Sequence, residues 1–169
     1  HHYGLRNPEH LPNENDYEPS RIYALSGSIF GSPRPVQGPG TPSAIVTNEA
    51  TWFRAGMDIR DIDYAPRNIR TTDVTLLEAG NDIIGGSNPY TSSMLGGRYG
   101  GHVDITGPGA LVLSAGRDVY GTDLALYSRG NKGYGSNNRV IPGTRIAGLP
   151  DEGASITVVT GSERFSHPG

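Results

Sequence analysis

The sequence contains no cysteine, which removes disulfide stapling, zinc–thiolate centres and cysteine nucleophiles together. Such a chain suits the cytosol, and equally a large exported bacterial protein that crosses the periplasm unfolded, where a stray disulfide would jam transit. Long apolar runs are missing too, so no membrane-spanning helix is predicted. No signal peptide opens the sequence, and any export signal is expected outside these 169 residues. Basic charge is not in excess: 14 Lys and Arg face 17 Asp and Glu, for a net charge of −3. A nucleic-acid partner is therefore not expected. Charged residues are only 18% of the chain and aromatic ones 8%. No window of eleven residues holds an i, i+3, i+4, i+7 apolar pattern, so essentially no helix is predicted.

Glycine and proline are what the chain has in plenty. With 25 Gly and 13 Pro they exceed a fifth of the residues, where about 12% is usual. Residues 1–20 carry three prolines and little apolar content, and read as an extended lead-in that can fold over as a partial cap. From Arg21 short β-prone runs recur, each ended by Gly, Asn-Asp or Pro. They extend to Gly161, leaving 162–169 as a tail. His1 and His2 read as a tag remnant.

The runs are copies of one another. YALSGSIF, WFRAGMDI, LLEAGNDI, VLSAGRDV and VVTGSERF share apolar positions, a glycine, a polar pair and usually another apolar residue. APRNI (65–69) reads as a degenerate sixth copy with Pro66 in the glycine slot. The glycines Gly27, Gly56, Gly80, Gly116 and Gly161 are spaced by 29, 24, 36 and 45 residues. The shortest interval approximates one turn of a β-solenoid. The surplus in the longer ones falls in Gly-, Pro-, Ser- and Asn-rich stretches at 32–43, 86–101 and 128–144, read as loops extruded from a regular coil.

Each copy has a physical reading. In Val112-Leu113-Ser114-Ala115-Gly116-Arg117-Asp118-Val119, alternate residues enter a narrow core and their neighbours face water. The Ala-Gly pair permits a sharp corner, with φ > 0 available to the glycine. An Asn or Asp past the corner can accept hydrogen bonds from backbone amides freed by the bend, and stacked copies can form a polar ladder. The predicted inward residues are Leu25, Ile29, Ile59, Leu77, Ile83, Val103, Ile105, Leu111, Leu113, Val119, Ile156 and Val158. Trp52 and Phe53 adjoin on one strand, so one should face in and the other out.

AGMDI (55–59), AGNDI (79–83) and AGRDV (115–119) resemble the haemagglutinin repeats of filamentous-haemagglutinin-type exoproteins. The ordered succession RIYALSGSI, AGMDIRDIDYAPRNI, LLEAGNDI, ITGPGALVLSAGRDV, SRGN and LPDEGASITVVTG resembles a domain of unknown function toward the C-terminal half of some two-partner-secreted members. The resemblance spans roughly Arg21 to Gly161; the Gly-Tyr-rich inserts depart from it. It implies a right-handed parallel β-helix on the bacterial cell surface or secreted, export through an outer-membrane partner transporter, and a non-enzymatic structural or adhesive role toward surface glycans or proteins. A spacer presenting a C-terminal toxin, or a carbohydrate-binding or carbohydrate-cleaving β-helix, is the alternative.

Candidate chemistry is sparse. Asp58, Asp61 and Asp63 offer calcium its preferred oxygen ligands. Strand alternation, however, puts Asp58 on the face opposite the other two, and Arg54, Arg60 and Arg67 are near enough to compensate them. A solvated strand face is the competing reading, and the calcium nonapeptide repeat is absent. His102 and Asp104 lie on one side of a predicted strand, but G-x-S-x-G is missing and no catalytic residue is assigned. A pectin-lyase-like acid cluster at Asp58, Arg60, Asp61 and Asp63 has only fold analogy behind it. The glycine-rich stretches at 96–101 and 130–135 do not match a phosphate loop, and no cofactor is expected. Tyr90, Tyr99, Tyr127 and Tyr134 could stack on sugar rings, or else pack their loops onto the coil. No RGD tripeptide is present. Because a β-helix segment leaves strands open at its ends, either end-to-end self-association or dependence on flanking coils for solubility is expected, with the contact surface chiefly around Ile156 and Val158.

Overall fold

A computed structural model describes residues 18–31, 45–86, 101–121, 124–134, 140–146 and 148–161. Among them there is no helix; the fold is all-β, built from parallel strands in three sheets. Each pass of the chain gives one strand to each sheet. The first pass supplies β1 (Ser20–Ala24), β2 (Ile29–Phe30) and β3 (Ile45–Val46); the second β4 (Thr51–Ala55), β5 (Ile59–Arg60) and β6 (Tyr64–Ala65). The third supplies β7 (Val74–Ala79), β8 (Ile83–Gly85) and β9 (His102–Ile105), and the fourth β10 (Ala110–Ala115), β11 (Val119–Gly121) and β12 (Ala125–Ser128). A pair, β13 (Lys132–Tyr134) and β14 (Val140–Arg145), precedes β15 (Ser155–Val159). The first sheet is ordered β1-β4-β7-β10-β15, the second β2-β5-β8-β11 and the third β3-β6-β9-β12.

Registers follow the chemistry of the side chains. Ile22, Phe53, Leu77, Leu113 and Val158 form one column through the first sheet, and Ala24, Ala55, Ala79 and Ala115 another. Ile29, Ile59, Ile83 and Val119 stack in the second sheet. Alternation does the sorting: in β4, β7 and β10 every second residue is buried. Slippage by one residue would turn each apolar set outward, so the core locks the register. Phe53 is fully buried, edge-on to Tyr64 at 4.7 Å, while its neighbour Trp52 lies on the outer face. Burial pushes the Tyr64 hydroxyl up to about 12, although its 2.9 Å bond to Thr47 acts in the other direction.

The third sheet turns into the first at a corner without a repeated motif. There Asn68, wholly buried, donates from Nδ2 to the carbonyls of Asp73, Pro108 and Ala110 and accepts from Thr75 Oγ1 at 2.8 Å. A buried amide with every polar atom partnered stabilises a bend that water cannot reach.

Four sequence expectations are corrected here. Leu25 does not face inward; it is 80% exposed, because Ala24 pairs with Ala55 while Ile29 pairs with Ile59. The first corner thus holds one residue more than the second, and Leu25 sits in the surplus. For the same reason Gly27 is not level with Gly56. APRNI is not a sixth copy: Ala65 ends β6 in the third sheet, so Pro66 occupies no corner equivalent to Gly56. Asp58 to Asp63 is not one strand either, since β5 stops at Arg60 and Asp61 adopts φ 53°. Of the other expected core residues, Ile156 and Val158 stand level with Leu111 and Leu113 but keep 38% and 45% of their surface, because β15 lies at the end of the sheet.

Candidate functional site

The corners between the first and second sheets carry a polar ladder. Past each corner an aspartate accepts from the amide of the next pass: Asp82 N–H to Asp58 Oδ1 at 3.1 Å, and Asp118 N–H to Asp82 Oδ1 at 3.2 Å. Ser28 Oγ starts the series by accepting from Asp58 N–H. An arginine holds the other side of each carboxylate, Arg60 on Asp58 at 2.7 Å and Arg117 on Asp82 at 2.8 Å. Burial alone would raise the Asp58 carboxyl, but the Arg60 bond, the Asp82 amide and the Arg60 and Arg117 charges outweigh it and hold the group below 3.8. This arrangement matches the ladder expected from the AGxD repeats, and its chemistry is structural.

The corner glycines serve close packing rather than left-handed backbone. Gly56 and Gly116 are outside the positive-φ region, yet a Cβ on either would strike a carbonyl of the pass beneath, that of Leu25 or Gly80. Gly80 continues the same stack, its N–H bonded to Ala55 O. Gly27 has open space around it, as does Gly161, which turns with φ 64°.

The three acids singled out for calcium go to different partners. Asp58 belongs to the ladder, Asp63 Oδ1 accepts from His102 N–H at 3.2 Å, and Asp61 lies at the turn between β5 and β6. Among the described residues no three His, Asp or Glu side chains converge as a metal site would require. His102 and Asp104 do share the outer face of β9, where Asp104 binds Arg129 through 2.7 and 3.1 Å bonds. Arg129 in turn lies 4.7 Å from the centre of the Tyr127 ring, and His102 meets that ring edge-on at 6.4 Å. Tyr127 is thus surface-facing but braced on two sides. Tyr134 lies in β13; Tyr90 and Tyr99 fall outside the described residues.

A more open arrangement surrounds Trp52, the chain's one tryptophan. Its indole N–H donates to Val74 O at 3.0 Å, which pins the ring between passes. Arg21 and Arg54 lie over it at 5.7 and 5.3 Å, and Arg54 also faces Tyr23 and Glu78. Beside the ring is a cleft of about 150 Å³ drawn from three segments, with Glu18, Glu49, Arg70, Thr72 and Asp73 on its walls. Asp73 Oδ2 shapes the floor by accepting from Ile69 and Arg70 N–H at 2.8 and 2.9 Å. Glu49 is held by the Ser20 hydroxyl. Sequence reasoning expected one of Trp52 and Phe53 to face outward without choosing between them, and missed this cleft, because its walls are distant in sequence and share no motif.

Compared with protein-family models, curated proteins and solved structures, the chain has no match in any of the three.

Proposed function

We propose that this chain is a right-handed parallel β-helix segment of a large secreted bacterial surface exoprotein of filamentous-haemagglutinin type, with a structural and adhesive, non-enzymatic role. The observation that supports the reading is the repeated corner. Ala55-Gly56, Ala79-Gly80 and Ala115-Gly116 stack in register, and the aspartates after the first two, Asp58 and Asp82, each accept from the backbone of the next pass. A unit of this kind adds length by repetition, since every pass needs only its neighbours. It extends a surface rather than enclosing a reaction centre. The ordered motifs from Arg21 to Gly161 tie that unit to exported fibres, moved through an outer-membrane partner.

Electron microscopy of the full-length parent chain tests this. The expected particle is a thin rod whose length grows with the number of passes; a compact globule overturns the proposal. A transporter gene adjoining the reading frame is the expected genomic companion. The carbohydrate-binding reading has one observation in its favour, the aromatic cleft at Trp52.

A further inference from the structure

We draw no further inference here: the strongest candidate, the uncharged outer face that Leu76, Val112 and Thr157 form across β7, β10 and β15 of the first sheet, is an unpartnered sheet surface, and nothing in the structure shows what covers it.

Discussion

Asp58 and Asp82 occupy the same place on successive passes, and the carboxylate of the first accepts the backbone N–H of the second at 3.1 Å. One side chain thereby supplies the acceptor for a bend it does not belong to. Asp58→Ala should leave the Asp82 amide and the Arg60 guanidinium without that acceptor, at roughly 1–3 kcal/mol of stability. Asp58→Asn keeps an oxygen for the amide and should lose less. Urea unfolding of both variants checks the order, and equal losses would mean the amide bond contributes nothing separable from the ion pair.

Acid should attack the same point. The folded Asp58 carboxyl titrates below 3.8, so its ionised form contributes stability above the unfolded pKa, and that contribution disappears as pH falls through the lower folded value. The wild-type melting temperature should therefore drop below pH 3.8 more steeply than that of Asp58→Asn. Tyr64 works at the other extreme: its hydroxyl, raised from 10.0 to about 12, favours the folded state below 10.0 and loses that advantage as pH rises toward 12. Tyr64→Phe should flatten the alkaline decline. Melting profiles of the three proteins that overlay at both extremes would contradict both assignments.

The corner glycines should not respond alike. Gly56→Ala and Gly116→Ala each drive a methyl group into a backbone carbonyl that cannot swing aside, an overpacking of about 1–3 kcal/mol. Gly27→Ala, with open space around it, should stay within about 0.5 kcal/mol of wild type. Thermal shifts of similar size at all three would show that close approach of the passes is not what glycine serves there.

What the sequence disclosed and what it hid have the same cause. The AGxD corner recurs because one physical problem, a tight bend over an identical bend, recurs with it; its parallel stacking and its aspartate ladder were legible from the residues. Trp52 and Phe53 sorted correctly by alternation. The corner at Asn68 solves its problem once, through a buried amide reaching across to Pro108 and Ala110, so no repeat advertised it and Pro66 was misread as a copy. Leu25 was misplaced because glycines were matched to glycines, whereas the chain matches Ala24 to Ala55 and absorbs the extra residue afterwards. The Trp52 cleft needed three passes to be brought together before it existed at all.

End-to-end association should be measurable. Ile156 and Val158 continue buried columns yet remain partly uncovered on β15. Sedimentation of the 169-residue chain should show concentration-dependent growth, and Val158→Lys should suppress it. A strictly monomeric wild type over a wide concentration range would refute this expectation.

The strand boundaries also locate where the chain is allowed to vary. Between β5 and β6 the second pass needs only residues 61–63, but the first and third passes spend residues 31–44 and 86–101 at the equivalent junction of second and third sheets. The columns of Ile29, Ile59 and Ile83 on one side and Ile45, Tyr64 and Val103 on the other remain in register across that difference. Closing a longer loop adds only a slowly growing entropic penalty, about 0.6 kcal/mol per doubling. The molecule therefore has a seam at which the number of residues, between Gly31 and Ile45 or between Gly86 and Gly101, can change while every core residue on either side keeps its partner on the neighbouring pass.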